Sequence, residues 1–398
     1  MWLGKFFNKI KNIKRVKFVL NEKKIVVFDG VCLGDLNYVL SEYNYFVLED
    51  RSYRINEVYL TPLLVLNFFL YFYLIFKNYS LKSIYNIALI KSVKPKIVIT
   101  SIDNSINFYL SAKILHKKIY FLAIQNSSRH GFRALNYCLK KNTIFPKNYK
   151  SLFFIPNLVC FGQDDIDGAK KENLKVKKFY DYGSLRISNF FYYLKENNIK
   201  LKKNKFDICL VSEPHGNNNY IYKNDTIENS SIKVAKFTIN FCMQNKLNFI
   251  FATKFLYASK GFKAELDFLK PHLNKQQLEY LLLNINKKNN IYSSYEALLQ
   301  SKIAVGWQST LLFDKIGLHE KILSCNFSNF KPWDFPINGI CNLKDKDYQS
   351  FVERLNLILS LNNQDYFNKL EKNPNFVMNF DRNESVVEKT KKILKNNI

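Results

Sequence analysis

The sequence predicts an α/β protein of two Rossmann-like domains in series, facing each other across a cleft, on three observations. Short β-rich runs alternate with helical patterns along the chain, the signature of parallel sheets covered by helices. At 398 residues the chain is too long for one ordinary core and suits two halves. A polar, Lys/Asn-rich stretch from Lys195 to Lys205, with no core pattern, separates the two series.

The first domain, 1–195, binds the acceptor in this reading. It has strand candidates at 24–28, 45–48, 97–100, 119–124, 158–161 and 178–182, with helical patterns at 58–76, 105–115 and 164–171. The second domain, 206–398, opens with a near-continuous apolar strand at 206–212 and the polar turn Glu213-Pro214-His215-Gly216-Asn217. Next come a helix at 227–245, a strand at 248–253, helices within 262–283, a strand at 290–292 and a helix at 294–299. Strand 302–306, helix 310–317 and strand 321–325 complete the series, and the chain from 347 onward reads as helical. Two doubly wound sheets with ligands at the carboxyl ends of their strands are the economical solution.

Hydrophobic residues make up 47% and aromatic residues 16%, so the chain can bury a large core. The formal charge of +27 comes from 60 Lys+Arg against 33 Asp+Glu. The lysines are spread along the whole length, and no zinc spacing or RNA-binding aromatic motif accompanies them, which argues against a nucleic-acid reader. What remains is a bias toward anionic partners: nucleotide sugars, phosphate-bearing acceptors and acidic lipid headgroups. The seven cysteines include no Cys-x-x-Cys pair and sit largely in apolar runs, as small core residues of a reducing compartment. No cleavable signal peptide is evident.

Two segments raise the membrane question. Residues 1–17 place Trp2, Leu3, Phe6, Phe7, Ile10 and Ile13 at helical spacing among lysines. They read either as an interfacial basic helix or as an ordinary surface helix. Residues 58–76 are long enough to span a bilayer but carry Pro62 and Asn67. A buried helix of the first domain is the favoured reading, with insertion into one leaflet as the second.

The most informative stretch runs from Ile303 to Gly317. A buried strand ends at Gly306, the turn Trp307-Gln308 follows, and a helix starts at Ser309-Thr310. Free N–H groups and the helix dipole make such a start an anion site. Simple N-capping by Ser309 is the alternative.

This element resembles the donor-phosphate segment of bacterial surface-carbohydrate transferases of the GT-B type, among them capsule and lipopolysaccharide Kdo transferases. The resemblance extends to Lys94–Thr100 with Ser101–Ser105, Ala123–Asn126 with Arg129, Phe161-Gly162, Gly183–Arg186 and Phe335–Gly339. It implies a GT-B glycosyltransferase working without a metal. The donor would be a nucleotide sugar, best matched by CMP-linked Kdo or a related ulosonic acid. The acceptor would be a glycan or lipid-linked glycan, and the location cytoplasmic or peripheral on the inner membrane. Transfer from another nucleotide sugar or a CDP-polyol, and a non-catalytic scaffold of the same fold, are the competing readings.

Asp103 follows a strand at the cleft edge, as a base or nucleophile or as a plain helix cap. Asn104, Gln125, Asn126, Arg129 and Arg186 are acceptor or cleft candidates, with amides for hydroxyls and arginines for carboxylate or phosphate. Glu213 and His215 end the first strand of the second domain as candidate catalytic groups, since an unperturbed His titrates near about 6.5. Gln308, Ser309, Thr310, Asp314, Lys254, Tyr292 and Ser293 are the donor-side candidates. The family's acidic residue on the Ser-Thr helix is commonly Glu; Asp314 is one methylene shorter. No Asp-x-Asp ends a strand; Asp164-Asp165-Ile166-Asp167 reads instead as an acidic first helical turn.

Overall fold

The computed structural model describes residues 15–51, 57–129, 154–213, 227–307, 309–328 and 331–398. In the first domain the strands are β1 (Arg15–Lys17), β2 (Ile25–Phe28), β3 (Tyr45–Leu48), β4 (Glu57–Tyr59), β5 (Ile97–Thr100), β6 (Tyr120–Ile124), β7 (Phe154–Cys160) and β8 (Lys175–Asp181). Its helices are α1 (Leu33–Leu40), α2 (Pro62–Tyr71), α3 (Leu81–Val93), α4 (Ile106–Leu115), α5 (Gln163–Lys171) and α6 (Leu185–Glu196). In the second domain β9 (Phe206–Val211), β10 (Phe249–Ala252), β11 (Ser301–Gly306), β12 (Lys321–Cys325) and β13 (Asn342–Leu343) alternate with helices. These are α7 (Ile227–Gln244), α8 (Lys260–Leu269), α9 (Lys275–Leu283), α10 (Ser293–Leu299) and α11 (Thr310–Gly317). Then come α12 (Tyr348–Ser360), α13 (Asn363–Asn368) and α14 (Val386–Asn397).

The first sheet is parallel in the order β3-β2-β5-β6-β7-β8, and the second is parallel in the order β10-β9-β11-β12-β13. In β2, Val26 and Phe28 enter the core on one face while Ile25 and Val27 enter the other. Helices on both faces bury the strand completely, which is why such runs are continuously apolar. The order reverses between β2 and β5 in one sheet and between β9 and β11 in the other. A crevice opens at the carboxyl ends of strands at each reversal, and the two crevices share one cavity. This is the GT-B arrangement.

Several elements differ from expectation. The 58–76 segment is not one helix: Pro62 lacks an N–H and so starts α2, with the Thr61 hydroxyl accepting from Leu64 N–H. Residues 57–59 are freed to pair in parallel with Arg15–Lys17, so residues 15–17 are a strand and not the end of a helix. Residues 1–14 lie outside the described residues. After α2 the chain tightens into a 3-10 turn, Phe72–Lys77, and stops at left-handed Asn78. Its Asn67 is buried and donates to the Ser92 hydroxyl, but the outward side of α2 is exposed rather than buried. No helix among the described residues is long and apolar enough to cross a membrane.

The strand expected at 290–292 is absent. The neighbour of β10 is instead a single parallel bridge from Phe251 to Ile285, and residues 290–292 form the turn into α10, closed by the Asn290 side chain accepting from Tyr292 N–H. The C-terminal helices, all assigned from sequence to the second domain, divide between the two. Val386, Val387, Ile393 and Leu394 of α14 join the first-domain core. The crossing is tight at Gly183 (φ 91°), where a Cβ would lie 2.5 Å from the Asn379 carbonyl oxygen. The cysteines among the described residues are free and buried; Cys138 lies outside them.

Candidate functional site

The cavity between the domains has a volume of about 780 Å³, a size suited to a nucleotide-sized ligand. Both topological switch points contribute to its walls: Asp35, Asp103 and Asn104 from the first sheet, Ser212, Glu213, Ser309 and Thr310 from the second.

On the second-domain side, β11 ends at Gly306 and α11 starts at Thr310. Ser309 occupies the cap position in extended geometry, yet its hydroxyl makes no capping bond. It lies near the Glu213 carboxyl, whose pKa it lowers. Leu312 N–H bonds to the Ser309 carbonyl at 3.1 Å, while the two amides before it have no helical acceptor, and the dipole favours negative charge there. Beside them, Glu265 is buried and accepts from the backbone N–H groups of Lys254 (2.9 Å) and Phe255 (3.3 Å). It thereby fixes the turn that carries Lys254 into the cavity. No carboxylate among the described residues pairs with the Lys254 ammonium. Lys288 also lines the cavity and donates to the Lys254 carbonyl at 2.9 Å. Burial raises the Glu213 pKa, with Lys254 and the Ser309 hydroxyl opposing the rise.

The first-domain side is built from closed pairs. Arg129 grips Asp103 with two nitrogens, Nε at 2.7 Å from Oδ2 and Nη2 against Oδ1. Asn126 N–H adds a longer bond to Oδ1 at 3.4 Å. Burial works against the Arg129 charge, but Asp103 outweighs it and its pKa rises. Asp103 is not the helix cap; Ser105 is, accepting from Phe108 N–H. Arg186 holds Asp35 in the same two-pronged manner, at 2.9 and 3.2 Å, and the Ser101 hydroxyl donates to Asp35 at 3.0 Å. Behind this layer, Asp165 is buried at the start of α5, where burial and the neighbouring Asp164 push its carboxyl up to about 8.

Direct bonds join the two sides: the Ser128 N–H donates to Thr310 Oγ1 at 3.0 Å, and the Asn290 amide donates to Tyr193 Oη at 3.4 Å. Aromatic contacts reinforce them, since Phe190 of α6 stacks on Tyr295 of α10 at 5.4 Å and Tyr193 stacks on Tyr292 at 4.7 Å.

Of the residues singled out from sequence, Asp103, Asn104, Arg129, Arg186, Glu213, Lys254, Tyr292, Ser309 and Thr310 line the cavity. Four others do not. Gln125 is buried and donates to the Ser127 carbonyl, and Asn126 accepts from Arg129, so both brace the turn. Ser293 is buried and bonds to Asn289 and Asn290, closing the turn before α10. Asp314 is fully buried, accepts from Tyr295 Oη at 2.9 Å and is pushed up to about 6 by burial; it lies behind the wall. His215 and Gln308 lie outside the described residues. Reading the sequence missed Asp35, Ser127, Ser128, Lys288, Tyr295 and Trp333, all of which line the cavity. Only Asp35 carried a signal, following β2 as Asp103 follows β5. Among the described residues no group of three or more His, Cys, Asp or Glu converges as metal ligands would.

Fold and cavity together define a protein of the GT-B fold with a cleft between its two sheets. No family model matches the chain, and no curated protein does. Among solved structures it is similar to a variant of the wall teichoic acid polymerase TagF, at 10% identity over 94% of this chain and 88% of that one, with a TM-score of 0.41. It is also similar to α,α-trehalose 6-phosphate synthase from Burkholderia multivorans, at 8% identity over 95% and 93%, with a TM-score of 0.42. The strand order and the shared cavity define the fold independently of these remote likenesses.

Proposed function

We propose that this chain is a GT-B glycosyltransferase of bacterial surface polysaccharide or lipopolysaccharide assembly. It moves a sugar from a nucleotide-activated donor to a glycan or lipid-linked acceptor on the cytoplasmic face of the inner membrane. The observation that carries this reading is the second-domain wall, where the start of α11, with Ser309 free of any capping bond, and Lys254, paired with no carboxylate among the described residues, line the cavity together. A departing nucleotide phosphate needs that arrangement: fixed N–H dipoles and a cation at the place where negative charge develops. A bound metal has no assigned role in this scheme. Glu213, with its raised pKa, is the proton carrier. Asp103 is a positioning residue, because Arg129 and Asn126 occupy its oxygens.

The donor in this reading is a CMP-linked ulosonic acid of the Kdo type, whose carboxylate falls to Lys254 and Lys288. One observation favours a second donor. With Arg129 committed to Asp103, a carboxylate-bearing sugar has one arginine fewer than the resemblance implies. A CDP-linked polyol needs no such partner. Incubating the full chain with CMP-, CDP- and UDP-linked donors and a glycan acceptor separates these, read as acceptor-dependent nucleotide release. CMP release from the CMP-ulosonate alone supports the first donor, and CMP release from the CDP-polyol alone supports the second. If Lys254→Ala and Glu213→Gln variants sustain full polymer synthesis in cells, the chain is a scaffold and not the transferase.

A further inference from the structure

Apolar residues belong on the inside of α2 and the 3-10 turn after it, and there they are. Leu64 and Leu74 are buried, and Phe68, Tyr71 and Ile75 pack against the first-domain core. The outside of the same segment is just as apolar. Leu63, Leu66, Phe69, Leu70, Tyr73 and Phe76 recur at intervals of three and four, which puts them on one helical stripe. They are 57% exposed at Leu66, 67% at Phe69, 60% at Leu70 and 85% at Phe76. Phe18 and Val19 are 70% and 73% exposed, and they extend the patch, because Leu60 N–H bonds to the Lys17 carbonyl beside them. A helix apolar all round is buried somewhere, and a contiguous exposed patch of this kind marks an interaction surface.

We propose that this face docks on an acidic phospholipid bilayer, lying in its headgroup layer without crossing it. Charge selects the partner. Residues 58–76 contain no charged side chain, while Arg15 and Lys17 stand at one end and Lys77 at the other in a chain of net charge +27. Glu57, the nearest acid in sequence, pairs with Lys17 at 2.7 Å, so the excess positive charge of the rim comes from Arg15 and Lys77. An uncharged face with a cationic rim complements anionic headgroups over an apolar interior. Aromatic side chains suit the boundary, and Lys77 sits 5.4 Å from the Tyr73 ring centre, at the rim of the stripe. Length decides between lying and spanning: α2 has 10 residues, or about 15 Å, against a hydrocarbon core of about 30 Å. Nothing about this surface depends on the reaction assigned to the cleft.

Flotation of the full chain tests it, using vesicles of phosphatidylcholine alone or mixed in equal parts with phosphatidylglycerol. The chain floats with the mixed vesicles and much less with the neutral ones. A Leu66→Glu/Phe69→Glu/Leu70→Glu variant, altered only at exposed positions, loses partitioning by on the order of 100-fold. Equal flotation of the variant, or none of the native chain, overturns the proposal. So does a native dimer in light scattering that the same substitutions make monomeric, which assigns the face to a second copy. A second measurement does not rely on the triple variant. Phe76→Cys carrying an environment-sensitive fluorophore shifts to the blue with mixed vesicles, and Lys346→Cys does not. Flotation without a shift at position 76 shows that another surface binds, and the proposal falls.

Discussion

On the first-domain side of the cleft, Asp103 is closed by Arg129 and Asp35 by Arg186, whereas on the second-domain side Glu213 and Lys254 line the cavity and form no close ion pair among the described residues. The residue types are the same, acids with basic partners at the carboxyl ends of parallel strands. Their use differs because a two-pronged arginine satisfies both oxygens of a carboxylate, while a lysine held by its backbone leaves its ammonium to whatever enters. Closed pairs hold the shape of a wall, and open charges bind. A cleft charge is therefore informative only once its partner is known.

The largest expected effect comes from opening a closed pair. Arg129→Leu leaves Asp103 buried and uncompensated, at a cost of about 3–5 kcal/mol in urea unfolding. Adding Asp103→Leu restores much of the loss. A cost below about 1 kcal/mol for Arg129→Leu would falsify the claim that this wall is structurally committed.

Next in size is the pH dependence set by Asp165 behind the same wall. Its folded pKa, about 8, stands above the ordinary value of 3.8, so the folded state holds a proton that the unfolded chain releases. Its contribution is therefore fully present below the unfolded value and lost as pH rises through about 8. Even half of that rise is worth about 3 kcal/mol. Asp165→Asn is expected to flatten the stability profile between these limits and to raise stability at neutral pH; an unchanged slope in denaturation at several pH values counts against it.

The open wall behaves differently. Lys254→Ala weakens nucleotide binding by about 10- to 100-fold in calorimetry and leaves the melting temperature unchanged, about 1.4–2.7 kcal/mol of affinity. A stability loss without an affinity loss would make Lys254 structural and erase the contrast between the walls. The smallest effect belongs to the Ser128–Thr310 bond between them. Thr310→Val removes the side-chain acceptor of the Ser128 N–H and costs about 1 kcal/mol in the same unfolding measurement.

Parts of this picture are legible in the chain because they are local. The β11–α11 element is contiguous, and its apolar strand, turn and helix start can be read from neighbouring residues. Asp103 and Glu213 follow strands whose composition marks them. The error at 290–292 has a local cause too: a short run with one isoleucine and one tyrosine cannot distinguish a strand from a turn, and Asn290 supplied the turn-closing acceptor. Asp314 misled because polarity suggested exposure, while the Tyr295 hydroxyl made burial tolerable. The pattern of 62–76, apolar but for Asn67 and two tyrosines, had no polar periodicity from which to tell an inward from an outward face.

The sequence by itself determined two parallel α/β domains, the strand–turn–helix at Ser309, and a cationic balance suited to anionic partners. Periodicity, capping chemistry and charge are properties of neighbouring residues or of simple sums. Only the tertiary structure decided which charges are spent. Arg129 lies 26 residues from Asp103 and Arg186 lies 151 from Asp35, and these partners meet because strand order brings the ends of distant segments together. The crossing of α14 to the first domain and the exposure of α2 are decided in the same way. Burial and pairing depend on what packs alongside, and neighbours across a fold leave no mark on the residues between them.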